Sequence, residues 1–285
     1  MIVITGISGR VGSAAARHLL HKNVAVAGFT RDRSKTGILE SEGANITRVD
    51  GLEELKPETF EHVDAVILVT GNGPQQKEHE IGLAQCASGA GVNRIIKISS
   101  LEASPHATAP FPKAHYDIEQ SIGAMPVQLQ CLRPNFFMEN LLLFAVGISK
   151  ANVLSLPLGK AKTAMVAAED VGVAAAEMAI NSDYDKPIYT LCGENLCDFY
   201  EIAAQLSLAL GRKIEYVPQS LQEFHAMLSK AIPSAWHVDA VTDLFAEIAA
   251  GSLDVASPDL ENLLGRKPTS MKAFIAARAA AFASQ

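Results

Sequence analysis

Thr5-Gly6-Ile7-Ser8-Gly9-Arg10-Val11-Gly12 follows the β-branched run Ile2-Val3-Ile4 and leads into an alanine-rich stretch. A G-x-x-G-x-x-G placed between a strand and a helix is a nucleotide-binding loop with a separate physical role for each glycine. Gly6 permits the tight turn off the strand, Gly9 lets backbone N–H groups approach a pyrophosphate, and Gly12 lets the helix pack closely on the sheet. Ser8, Arg10 and Val11 complete the loop at a helix N-terminus, whose dipole favours phosphate.

Outward from this loop, short β-branched runs alternate with helical stretches. Residues 2–5, 24–29, 45–49, 64–69, 93–98 and 127–132 read as strands, and their continuous apolar character predicts burial on both faces. Helices are expected over 12–22, 33–41, 57–61, 75–89 and 111–122. Repeated βαβ units give an α/β, Rossmann-type doubly wound parallel sheet. Beyond residue 150 helices dominate, and one clear strand at 187–192 is expected to return to the sheet. Asp198-Phe199-Tyr200-Glu201 and Ser220-Leu221-Gln222-Glu223 read as capping boxes, and Ser257-Pro258 as a cap before a proline at the first helical position. The expected organisation is a nucleotide domain over 1–150 and a smaller, mainly helical substrate lobe over 151–285.

Cofactor choice is read near the end of the second strand, where an acidic residue would bond the ribose 2′-hydroxyl of NAD. Here the chain reads Phe29-Thr30-Arg31, with Lys35 close behind. A planar guanidinium suits a 2′-phosphate, so NADP(H) is preferred and NAD(H) remains open. The first fifty residues carry seven Lys or Arg against four Asp or Glu, within a chain of net charge −7. Asp50 is either an acceptor for the adenine amino group or a turn residue. Thr70-Gly71-Asn72, after the fourth strand, is placed to pass the nicotinamide ribose.

The 48% hydrophobic and 19% charged composition excludes disordered and low-complexity classes. The acidic balance argues against nucleic acid as a direct partner. No apolar stretch of membrane-spanning length or targeting segment is read, so a cytoplasmic location is expected. The four cysteines match neither zinc nor redox spacing, and no metal site is expected. Of the aromatic residues only Phe29 and Phe60 precede Phe111, which assigns apolar substrate walls to the later chain.

The chain resembles the NmrA-like, atypical short-chain dehydrogenase/reductase family along nearly its whole length. The matching segments include ITGISGRVG, HVDAVILVTG, AGVNRIIKISS, LRPNFFMENL, AEDVGVAAAEMA and DLENLLGRKPTSMKAFI. Short-chain enzymes carry a serine after the fifth strand and a Tyr-x-x-x-Lys helix, with the lysine four residues before a glutamate. Ser99 matches the serine. Anchoring on Glu119 puts His115 at the lysine position and Phe111 at the tyrosine position, so the usual proton donor is absent. Ser99, His115 and Tyr116, the nearest phenol, are the catalytic candidates, and His115 could bond the ribose, polarise a substrate oxygen, shuttle a proton, or be a surface histidine with no chemistry. The resemblance also implies that Pro134, Asn135 and Phe136 hold the nicotinamide carboxamide side. Phe111, Phe137, Met138, Leu141 and Trp236 are candidate pocket walls; the cluster over 136–141 suits a flat aromatic substrate, or else Phe136 and Phe137 seal the two lobes together, and Trp236 either lids the cleft or packs in the core.

Without the tyrosine, the expected reaction is hydride transfer from NAD(P)H to a quinone-like or other conjugated aromatic acceptor. The alternative is a non-catalytic NAD(P) sensor that binds a protein partner. The chain is expected to be a monomer or a homodimer.

Overall fold

The computed structural model describes residues 1–283. In the first half, strands β1 (Ile2–Ile4), β2 (Val26–Thr30), β3 (Asn45–Arg48), β4 (Ala65–Leu68), β5 (Arg94–Ile98) and β6 (Gln128–Pro134) alternate with helices. These helices are α1 (Arg10–His21), α2 (Gly37–Ser41), α3 (Gln76–Gly89) and α4 (Pro110–Gly123). The expected helix over 33–41 is split into a 3-10 turn, Arg33–Lys35, and the five-residue α2, because Asp32 caps the turn by accepting from the Ser34 amide. The expected helix at 57–61 is also a 3-10 turn, Pro57–Phe60.

The doubly wound sheet is present. Its order is β3-β2-β1-β4-β5-β6-β9, with β9 (Ile188–Leu191) beside β6 and every pairing parallel; α5 (Ala145–Ala151) and the two-residue strands β7 (Val153–Leu154) and β8 (Lys162–Thr163) lie between β6 and β9 in the chain, outside this sheet. Strand direction of growth reverses between β1 and β4, the topological switch point at which such sheets open a crevice. Two apolar layers cover the sheet. On one face α1 packs against α6 (Ala168–Ile180), where Ala15, Ala16, Ala174 and Ala175 are all fully buried and let the helices approach closely. The other face holds Phe60, Leu83, Ala84, Ile118 and Ile122, from the α3 and α4 side.

A third apolar cluster fills the C-terminal lobe. It is built largely on α7 (Phe199–Leu210), α8 (Leu221–Ala231), α9 (Ala235–Ala249) and α11 (Met271–Ala277), and gathers Phe199, Phe224, Phe245 and Phe274. Both capping boxes are formed: Asp198 with Glu201, and Ser220 with Glu223. The third cap is shifted. α10 runs Asp259–Leu264 with Pro258 in the N-cap position, and Ser257 Oγ accepts from the Asp259 amide at 3.2 Å. Among the described residues, no helix is long and apolar enough to cross a membrane.

Candidate active site

A cleft of about 1030 Å³ opens at the C-terminal ends of β1, β4, β5 and β6 and runs towards the helical lobe. It lies at the switch point because the loops leaving β1 and β4 diverge to opposite faces of the sheet.

At one end, Gly6, Ser8, Gly9, Arg10, Val11 and Gly12 all line the cleft. A Cβ on Gly6 would lie 2.5 Å from the Val69 carbonyl oxygen, and one on Gly12 only 2.1 Å from that of Gly6. No side chain beyond hydrogen fits either position. Thr5 pins the loop to the end of β4, since its Oγ1 donates to Val69 O at 2.8 Å and accepts from Val69 N at 2.9 Å. Gly9 occupies the N-cap of α1 without a side-chain cap, and the first turn carries no acidic residue. The free amides and positive dipole end therefore suit an anion, with no acidic side chain in the first turn to compete.

Among the basic residues beyond β2 the structure separates those that sequence proximity groups together. Arg31 lines the cleft and makes no ion pair among the described residues, whereas Arg33 is held by Glu40 at 2.8 Å. Lys35, expected at the cofactor, is absent from the cleft lining. The turn capped by Asp32 carries it away, and its ammonium lies 3.9 Å from the Asp32 carboxylate. Asp50 lines the cleft and pairs with Arg48, with Phe29, Val49 and Leu52 as apolar neighbours along the same wall.

At the other end, the cleft is floored by side chains from four elements. Thr70, Gly71 and Asn72 line it after β4. Ser99 lines it after β5, but its hydroxyl donates to Glu119 Oε1 at 2.5 Å, and Glu119 is gripped bidentately by Arg133. His115 lines it from α4 and accepts at Nδ1 from Lys97 Nζ at 3.1 Å. Lys97 and Glu80 are both 0% exposed and form an ion pair. Glu80 Oε1 accepts from Thr70 Oγ1 at 2.6 Å and from Gln76 Nε2 at 3.0 Å. Burial, followed by the positive charges of Lys97 and Arg133, holds the imidazole of His115 well below its ordinary titration range.

Lys97, Glu80, Gln76, Glu119 and Arg133 form the polar scaffold of this end, and sequence motifs did not single them out as functional. The one available clue was a lysine inside the apolar run Ile95-Ile96-Lys97-Ile98. A charge in a doubly buried strand requires a partner. Tyr116 does not reach the cleft: it is half-buried on α4, about 100° around the helix from His115.

Phe111, Phe136 and Phe137 line the cleft as expected, together with Pro134 and Asn135. The Asn135 side chain is occupied internally, accepting from Thr163 Oγ1 at 2.6 Å and donating to Leu253 O at 3.1 Å. Phe136 is held edge-on between Phe199 and Phe245. Three expected walls are displaced. Met138 and Leu141 turn into the core of the helical lobe, because the 3-10 helix Met138–Phe144 begins where the Met138 amide bonds Val166 O. Trp236 stands behind Phe111, with ring centroids 5.7 Å apart, and does not line the cleft. In their place α9 contributes Leu244, Phe245 and Ile248, a stripe at helical spacing that composition could not assign to a cleft. Glu102 also lines the cleft, and burial pushes its carboxyl upward.

The comparisons with known proteins agree with this architecture. The NAD(P)H azoreductase of Xenophilus azovorans is 28% identical over 99% of this chain and 99% of its own length. Quinone oxidoreductase 2 of Escherichia coli is 25% identical, with 95% and 96% covered. Among solved structures, the NADPH complex of the E. coli NADPH-dependent quinone oxidoreductase superposes with a TM-score of 0.87 at 22% identity, covering 98% of this chain and 99% of that one. Triphenylmethane reductase of Citrobacter gives 0.85 at 21% identity, with 97% and 99% covered. A family model described as NmrA-like matches residues 1–275, and the chain belongs to the NmrA-like family.

Proposed function

We propose that this protein is an oxidoreductase that uses NADPH to reduce a quinone-like or other conjugated aromatic acceptor. The cofactor assignment is supported by the azoreductase and quinone oxidoreductase relatives and by the cleft itself. Gly6 and Gly12 leave a cradle that a Cβ would fill, the first-turn amides of α1 face it, and Arg31 stands beside it with no ion-pair partner among the described residues. In this reading the glycine loop holds the pyrophosphate and Arg31 the 2′-phosphate, with Asp50 at the adenosine end. Thr70, Gly71 and Asn72 pass the nicotinamide ribose, and the backbone of Pro134 and Asn135 fixes the ring side. When bound, the dinucleotide supplies a hydride.

The observation that carries the acceptor class is the composition of the reaction end. Phe111 lines the cleft and Tyr116 does not, and the family resemblance puts Phe111 at the tyrosine position of the short-chain enzymes. Reduction of an isolated ketone leaves an alkoxide that needs a positioned acid. A quinone instead leaves a phenolate-like anion whose conjugate acid has a pKa of about 10, which solvent can protonate afterwards. Phe111, Phe137 and Phe245 supply flat apolar surface and exclude water, so the chain's contribution is orientation and a dry pocket.

The test is anaerobic mixing of the NADPH-loaded protein with a panel of quinones, azo dyes and unconjugated ketones. Rapid oxidation by the conjugated acceptors alone supports the reading. Inertness towards every acceptor despite NADPH binding favours a nucleotide sensor.

A further inference from the structure

The most constrained group in the cleft is His115, and the hydrogen bonds around it decide where its proton sits. Lys97, fully buried, has three ammonium protons and three acceptors: the Glu80 carboxylate, the Ile98 carbonyl at 3.3 Å and His115 Nδ1 at 3.1 Å. All three donors are placed, so Nδ1 must be a lone pair. A neutral imidazole then carries its proton on Nε2. The one hydrogen-bonding group near Nε2 among the described residues is Gln76 Nε2, at 3.4 Å. That amide nitrogen already donates to Glu80 Oε1 at 3.0 Å, and the reverse amide orientation would set an oxygen against the Glu80 carboxylate. Gln76 therefore presents N–H to N–H, and the His115 proton has no acceptor among the described residues.

We propose that the buried Glu80–Lys97 pair locks His115 as the neutral Nε2–H imidazole, a fixed hydrogen-bond donor to an oxygen in the cleft rather than an imidazolium acid. Lys97 and Glu80 are positioning residues; His115 is the group that touches the ligand. The charged neighbours agree in sign. Lys97 on β5 and Arg133 on β6 both oppose a second proton on the ring. Of the carboxylates packed around it, Glu80 on α3 is neutralised by Lys97 and Glu119 on α4 by Arg133. A donor that keeps its proton through the neutral range stabilises a ribose hydroxyl, or an oxygen gaining negative charge during reduction, with no dependence on bulk pH. The inference rests on the cleft being the reaction site, but the state of the imidazole is readable without any cofactor.

The deciding experiment is ¹⁵N NMR of the histidine-labelled full chain, without nucleotide, from about pH 5.5 to 8. A His115 resonance fixed as the Nε2–H tautomer across that range is expected. An Nδ1–H tautomer or a titrating imidazolium overturns the proposal, and either result leaves the reductase reading standing. Lys97→Met should release Nδ1, giving mixed tautomers and a titration. If the orphaned Glu80 prevents folding, Lys97→Met with Glu80→Gln removes that charge and is expected to give the same spectrum. In turnover, the wild-type kcat profile should be flat where Lys97→Met shows an inflection. His115→Phe then identifies the oxygen. A rise of about tenfold in the NADPH dissociation constant with kcat kept places it on the ribose, and a comparable fall in kcat at constant NADPH affinity places it on the acceptor. No change in either quantity overturns the donor role.

Discussion

The two ends of the cleft present their polar groups by opposite means. The end proposed to hold phosphate is made of backbone: glycines that leave room, helix amides that point outward, and Arg31 with no side-chain partner among the described residues. The end proposed for the reaction is made of buried side chains, with Glu80 and Lys97 fully enclosed and Ser99, Glu119 and Arg133 tied to one another. Backbone sites cost little when empty, because water can satisfy the exposed amides. A buried charge network must be complete before the fold closes, since each member left alone pays its full desolvation. Substitutions at the reaction end should therefore act first on stability, and those at the phosphate end on ligand binding.

Lys97→Met should give the largest effect. It leaves the Glu80 carboxylate buried and unpaired, a change that costs about 3–5 kcal/mol. Urea denaturation should show the loss, and a second substitution, Glu80→Gln, should restore much of it. A stability near wild type for the single variant would break the contrast between the two ends. Gly12→Ala comes next. With its Cβ 2.1 Å from the Gly6 carbonyl oxygen the loop must move; the expected destabilisation is about 1–3 kcal/mol, together with loss of NADPH binding in a fluorescence titration.

Arg31→Ala should leave folding unchanged and weaken NADPH by about 1–3 kcal/mol, while NADH binding stays nearly constant. Equal losses for both nucleotides would show that Arg31 does not read the 2′-phosphate. The smallest effect is one of pH. His115 titrates lower in the folded chain than its free value of about 6.5, so between those two points the unfolded chain binds the extra proton. Its contribution is fully present above about pH 6.5 and is lost as pH falls below it, with a slope of up to about 1.4 kcal/mol per pH unit. In His115→Phe that part of the acid limb should flatten.

The same contrast explains what the sequence made legible. The glycine loop is local: eight consecutive residues specify a turn, a close approach and a helix start, so its position at the cleft followed from spacing. The parallel sheet followed from apolar runs such as Ala65–Leu68, and the return of β9 from one β-branched run after residue 150. The reaction end is assembled across long separations, with Glu80, Lys97 and His115 meeting from α3, β5 and α4. No spacing rule announces such a meeting. The apolar walls misled for a related reason. Met138 and Leu141 follow Phe137 in sequence, but the 3-10 geometry turns them into the lobe core, while the stripe Leu244, Phe245 and Ile248 arrives from a helix more than a hundred residues away.

In the proposed reaction the cleft delivers hydride to a conjugated acceptor without a phenol acid. Single-turnover, anaerobic stopped-flow oxidation of bound NADPH tests it most directly, comparing a quinone with an unconjugated ketone of similar size. Fast oxidation by the quinone and none by the ketone is expected. Equal rates for the two, or no oxidation by any conjugated acceptor once NADPH is bound, would contradict it.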